Sequence, residues 1–242
     1  MAKRWTTLGR DLFLYRESCN VYLLRDGERA IAVDFGTGAW LDDLADLGVA
    51  TVDHVVLTHA HRDQLCGLYR GRRGDFAVHA PAGERDLLTS GTLADFWRHY
   101  QRNGCPTSYA APRLPLADIA FDLAADSETL VGPARFCAIA TPGHTAGALS
   151  YIVEWRDRQL AFCGDAVHAD GAVHQPYHLE WDHWTPGGAL AAWQGLERLG
   201  YCGFDLLLLA HGPTVSKRAR QAVHRTAKNL LAFIRAKGSV CA

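Results

Sequence analysis

The sequence predicts an α/β fold in which a mixed pair of β-sheets carries helices on its outer sides. Three observations lead there. Short runs rich in Val, Ile and Leu alternate with longer helical patterns along the chain. Most of these runs are nearly continuous in apolar residues, as expected of strands buried on both faces. The runs at 148–155 and 159–165 are joined through "RDRQ", too short for a parallel crossover, so part of each sheet is antiparallel.

The strands follow in order. "NVYLL" (20–24) and "RAIAVDFG" (29–36) come first, then "DHVVLTH" (53–59) and "DFAVHA" (75–80). The second half supplies "RFCAIATPG" (135–143), "ALSYIVEW" (148–155), "QLAFCGD" (159–165) and "DLLLLAHG" (205–212). Helices are expected at 39–47, 63–70, 82–101, 186–199 and 216–237, the last capped by Thr214 and Ser216. At 242 residues and 48% hydrophobic content, the chain can bury one large core, and a single domain over 1–242 is expected.

Charge narrows the function. Lys and Arg total 25 against 26 Asp and Glu, a balance without the field that draws in nucleic acid or anionic membrane. A small-molecule substrate is the expected partner, and oligomeric state is left open. The seven cysteines form no CxxC pair, which argues against a disulfide framework and fits the reduced cytoplasm. No segment reaches the ~20 apolar residues of a membrane span, and the N-terminus is interrupted by Arg10, Asp11 and Arg16.

The informative polar residues fall at strand ends. His59 and His61 follow "VVLT", His144 follows "IATPG", Asp165 follows "AFCG", and His211 follows "LLLLA". Loops at such ends collect functional groups on a rigid scaffold. Imidazole and carboxylate hold zinc, iron or manganese, and a catalytic zinc takes about three protein ligands with one position open. Gly143 and Gly147 let the chain turn tightly around His144. A single histidine is more often a satisfied core group than a ligand; this ordered set is hard to obtain by chance.

From "SCNVYLL" and "AIAVDFGTG" through "THAHRDQLCG", "TPGHTAG" and "FCGDAV" to "LLAHG", the chain resembles the metallo-β-lactamase superfamily. The resemblance implies an αββα sandwich with metals at one edge. It implies His59, His61 and His144 as ligands of a first ion, Asp165 as a shared ligand, and Asp63 and His211 as ligands of a second. The superfamily's HxHxDH string ends here in Gln64. An amide oxygen is a weaker donor than imidazole, so a strong first site and a weakened second one are expected, with one or two Zn2+ ions and Fe or Mn as alternatives.

The implied activity is hydrolysis, a metal-bound hydroxide attacking a small ester, lactone or thioester. Asp63 would orient water or take its proton, and His211 would be a ligand or donate to substrate oxygen. Two other readings stay open: a mononuclear iron oxygenase resembling persulfide dioxygenases, and a non-catalytic binding protein on the same fold. The segment holding His168, His174, Tyr177, His178, Trp181, His183 and Trp184 is a candidate pocket wall, with core cover as the alternative. A second candidate wall is 93–109, where Phe96, Trp97 and Tyr100 precede Gly104 and Pro106. With 31 residues after His211, the helical C-terminal domain of glyoxalase II, which resembles this chain in the metal motif, is not expected here.

Overall fold

The computed structural model describes residues 4–72, 74–88, 119–168, 171–172 and 188–240. Its strands form two mixed sheets. The first runs in chain order through β1 (Trp5–Gly9), β2 (Leu12–Arg16), β3 (Asn20–Asp26), β4 (Arg29–Val33), β5 (Thr51–Val56), β6 (Ala77–Pro81) and β7 (Ile119–Leu123). Pairing is antiparallel from β1 to β4 and parallel from β4 to β7. The second sheet has the order β12 (Leu206–Leu209), β11 (Arg158–Gly164), β10 (Leu149–Trp155), β9 (Ala134–Ala140) and β8 (Glu128–Val131). Only its β11–β12 pair is parallel.

Side-chain alternation sorts the apolar residues into three layers. In β3, Tyr22 and Leu24 face the gap between the sheets, while Val21 and Leu23 face outward. In β12, Leu206 and Leu208 point inward, and Leu207 and Leu209 meet the helices beyond. Both faces are therefore covered, which is why these strands read as unbroken apolar runs. Each fully buried Leu, Val or Phe contributes roughly 1.5–3 kcal/mol relative to exposure.

Outside the first sheet lie a 3-10 helix (Ala39–Leu47), α1 (Arg62–Tyr69) and the short α2 (Arg85–Leu88). Trp40, Leu65, Leu68 and Leu88 are their buried contacts with it. Outside the second sheet lie α3 (Gly188–Tyr201) and α4 (Ala219–Val240), through Leu196, Leu199, Val223 and Leu230. The result is the expected αββα sandwich. No helix among the described residues is long and apolar enough to cross a membrane.

Several boundaries differ from expectation for identifiable reasons. The predicted strand at 53–59 leaves its own ladder after Val56. There the chain turns to the other sheet: Thr58 O accepts from the Leu149 N–H at 3.1 Å, and Leu57 O from the Tyr151 hydroxyl at 2.7 Å. The last helix begins at Ala219 rather than 216 because Val215 exchanges both backbone hydrogen bonds with Leu207, at 2.9 and 3.0 Å. The predicted 82–101 helix is described only to Leu88, as a 3-10 turn (Ala82–Glu84) followed by α2. Candidate wall residues 93–109 and His174 through Trp184 lie outside the described residues.

Candidate metal centre

The predicted ligand positions follow strand ends, with Asp63 and Gln64 in the first turn of α1. His59, His61 and Asp63 follow β5, His144 follows β9, Asp165 follows β11, and His211 follows β12. The His144 loop turns through Gly143, whose φ of +125° an L side chain rarely adopts. Gly147 meets the chain after β6 so closely that an added Cβ would stand 2.3 Å from the Gly83 carbonyl carbon. Both glycines singled out in the sequence are thus required, one by conformation and one by space.

The side chains converge in two overlapping groups. Ligand atoms of His59, His61, His144 and Asp165 all lie within 4.8 Å of one another, as do those of Asp63, Asp165 and His211. The three imidazoles of the first group stand edge to face, with ring centres 4.9 Å apart for His59–His61, 4.9 Å for His59–His144 and 4.3 Å for His61–His144. Asp165 Oδ2 sits 3.0 Å from His144 Nε2, 3.6 Å from His211 Nε2 and 3.7 Å from His59 Nε2. His211 Nε2 also lies 2.7 Å from Asp63 Oδ2.

A buried chain of hydrogen bonds orients His59. The Thr58 hydroxyl donates to the Asp34 carboxylate at 3.0 Å, and its oxygen lies 3.0 Å from His59 Nδ1. With its proton committed to Asp34, Thr58 accepts from Nδ1–H, which leaves the lone pair on Nε2, facing the cluster. Burial raises the Asp34 carboxyl to about 7, against the opposing hydrogen bonds from Thr58.

The electrostatics match a site built for a cation. Burial, with the neighbouring His144 charge, brings His59 down to about 4, so it is a neutral donor. Burial alone would raise Asp165, but His144, His59 and His211 outweigh it and hold this carboxyl well below its ordinary range. The hydrogen bond to Asp63 raises His211 to about 9 despite burial. His59 Nε2 and Asp165 Oδ1 are buried and make no hydrogen bond among the described residues. Atoms so placed are costly unless something binds them, and a divalent cation fits the neutral His59 imidazole beside an ionised carboxylate.

Gln64 is fully buried at the start of α1. Its backbone oxygen accepts from the N–H groups of Phe35 and Gly36, each at 3.0 Å, and its side-chain nitrogen donates to Asp63 Oδ2 at 3.2 Å. In that orientation the amide steadies Asp63. His168, the extra histidine singled out for testing, lies with its ring centre 6.0 Å from that of His211.

Four supporting residues went unread in the sequence. Asp34 and Thr58 end apolar strands, a position that a search for polar residues at strand ends would have picked out. Asn20 donates to Leu209 O at 2.8 Å and Gly212 O at 2.9 Å, fastening the His211 loop to β3. Glu84 follows β6 in "PAGERD", a string that reads as an ordinary exposed helix start. It is instead buried, with its carboxylate between two ligand loops.

Comparison with known proteins agrees with this geometry. The family model described as the metallo-beta-lactamase superfamily matches residues 14–214. A hydroxyacylglutathione hydrolase from Thiobacillus denitrificans is 29% identical over 152 residues, covering 62% of this chain and 47% of that protein. The chain thus spans about half the length of that curated relative. The subclass B3 metallo-beta-lactamase BJP-1 of Bradyrhizobium japonicum superposes with a TM-score of 0.71 at 18% identity, covering 98% of this chain and 94% of that one. A Cronobacter sakazakii metallo-beta-lactamase described by its HARLDQ motif gives 0.69 at 18% identity, covering 98% of each chain. The string at 59–64 here is HAHRDQ, with the same first two and last two letters. At that identity the two structures attest the fold alone. With the αββα sandwich, the histidine and aspartate cluster at its rim and a family model matching 14–214, the chain belongs to the metallo-beta-lactamase superfamily.

Proposed function

We propose that this chain is a metal-dependent hydrolase of a small acyl compound, with a thioester as the favoured form. The observation that carries the reading is that Asp165 belongs to both ligand groups, as one carboxylate between two cation positions must. The hydroxyacylglutathione hydrolase relative supports the thioester preference. A single domain with a small-molecule substrate and a cytoplasmic setting complete the reading.

His59, His61, His144 and Asp165 would hold a first zinc ion, and Asp63, Asp165 and His211 a second. Such an ion, when bound, lowers the pKa of water toward about 7 and polarises a substrate carbonyl. Asp63 is the base: its Oδ2, half-exposed and steadied by Gln64, accepts the proton of the attacking water. His211, whose Nε2 lies 2.7 Å from Asp63 Oδ2, is a ligand of the second ion or, where that ion is absent, a donor to the substrate oxygen. The second position is the weaker one, because Gln64 brings an amide where an imidazole would bind more strongly.

The test is elemental analysis of protein purified without chelators or a metal-binding tag, followed by ester, lactone and thioester panels. About one zinc per chain, lost in His61→Ala, with turnover of one of these classes that is lost in Asp63→Ala, is the expected result. Protein that retains no metal overturns the reading. So does protein that carries iron and consumes oxygen with a persulfide.

A further inference from the structure

The ligand loops of the first cation position come from different sheets, and one side chain joins them. Glu84, in the turn after β6, is wholly buried. Its Oε2 accepts from the Ala60 N–H at 2.9 Å, between His59 and His61. Its Oε1 accepts from the Thr145 hydroxyl at 2.7 Å and the Gly147 N–H at 2.6 Å, just beyond His144. These donors are two backbone amides and a hydroxyl, so the carboxylate has hydrogen bonds to both loops without a cationic partner in that set.

We propose that Glu84 is a positioning residue for the metal cluster, tying the His59–His61 segment to the His144 loop and so setting the spacing of the three imidazoles before a cation binds. The inference rests on the metal-dependent reading above. A second observation supports it independently: Gly83 and Gly147 meet backbone to backbone, and a Cβ on Gly83 would lie 2.9 Å from Gly147 Cα. The turn bearing Glu84 is thus seated directly on the His144 loop. Burial raises the Glu84 carboxyl, and the hydrogen bonds from Thr145, Ala60 and Gly147 oppose that shift only in part.

Carboxylate chemistry is what the geometry uses. Both oxygens receive donors, so replacing one oxygen by an NH2 group sets donor against donor on one side. Glu84→Gln therefore breaks one of the two ties at almost constant volume. Glu84→Asp keeps two acceptors on a shorter arm, and Thr145→Val removes only the hydroxyl contact.

The experiment measures zinc affinity of chelator-treated protein by competition with a chromophoric chelator, alongside apo-protein melting and the visible spectrum of the cobalt(II) form. Glu84→Gln is expected to keep a cooperative melt within about 5 °C of wild-type apo-protein. Its zinc affinity should fall by about 10- to 100-fold, as for other groups that orient metal ligands, with a changed cobalt spectrum. Glu84→Asp should recover part of that loss, and Thr145→Val should show a smaller one. Should Glu84→Gln fail to fold, the Thr145→Val affinity and spectrum decide the matter. Wild-type zinc affinity and cobalt spectrum in the folded variants overturn the proposal alone. Absence of zinc binding by the wild type overturns the functional reading, and this proposal with it.

Discussion

Gln64 donates its side-chain amide to the Asp63 carboxylate at 3.2 Å, so the residue that departs from the HxHxDH string touches the acid next to it. Replacing that amide with imidazole exchanges a weak ligand for a strong one. Gln64→His is expected to raise zinc content from about one toward about two ions per chain. Elemental analysis reads this directly, and unchanged stoichiometry would show that Gln64 does not limit the second position.

Asn20 fixes the loop that presents His211. Besides its two side-chain bonds to Leu209 and Gly212, its N–H donates to Ala210 O at 2.7 Å. Asn20→Ala removes the side-chain donors and leaves the Gly212 carbonyl without that partner. A loss of about 1–3 kcal/mol in urea unfolding is expected. A variant as stable as wild type would mean that other groups hold this loop.

Asp11 joins the two sheets. Arg25 reaches its Oδ1 at 2.7 and 3.0 Å from one sheet, and Arg156, in the β10–β11 turn, reaches its Oδ2 at 3.0 Å from the other. Burial would raise this carboxyl, but the two arginines together lower it. A lowered carboxyl contributes stability above its unfolded value near 3.8, and that contribution is lost as pH falls through the folded value. Asp11→Ala also places alanine at φ +56°, and should cost about 1–3 kcal/mol at pH 7. Melting curves at pH 7 and pH 3 test both parts: the gap between wild type and variant must shrink in acid.

His54, His79 and Asp122 form a line across β5, β6 and β7. His54 Nδ1 lies 3.1 Å from His79 Nε2, and His79 Nδ1 lies 2.8 Å from Asp122 Oδ2. Burial and the facing His79 lower His54, with Asp53 and Asp122 opposing and Arg29 reinforcing. The sign follows: stability is full above the ordinary value of 6.5 and declines as pH falls through the lower folded value. His54→Gln should flatten the fall in melting temperature between about pH 7 and 5 at matched metal content. Parallel slopes for the two proteins would remove His54 from the acid response.

The sequence revealed β3 to β6 and β9 to β12, the last an edge strand, and left β1, β2, β7 and β8 unread. Strands β3, β4, β11 and β12 are apolar runs because both faces are covered. β1 and β8 show exposed positions, and the exposed Leu130 in β8 breaks any inward pattern. The clustered histidines and aspartates were legible because such residues after apolar strands are unusual. Glu84 was not, because its function depends on amides at positions 60 and 147, and backbone donors leave no mark in a string of letters.

The six clustered histidine and aspartate side chains divide evenly between the sheets: His59, His61 and Asp63 follow a strand of one, and His144, Asp165 and His211 follow strands of the other. A cation held there would act as a rivet through the rim of the sandwich, added to the hydrogen bonds by which Glu84 and Tyr151 already join the two halves. Chelation would then leave the halves joined by those bonds and lower the stability of the rim by the binding free energy of the lost ion.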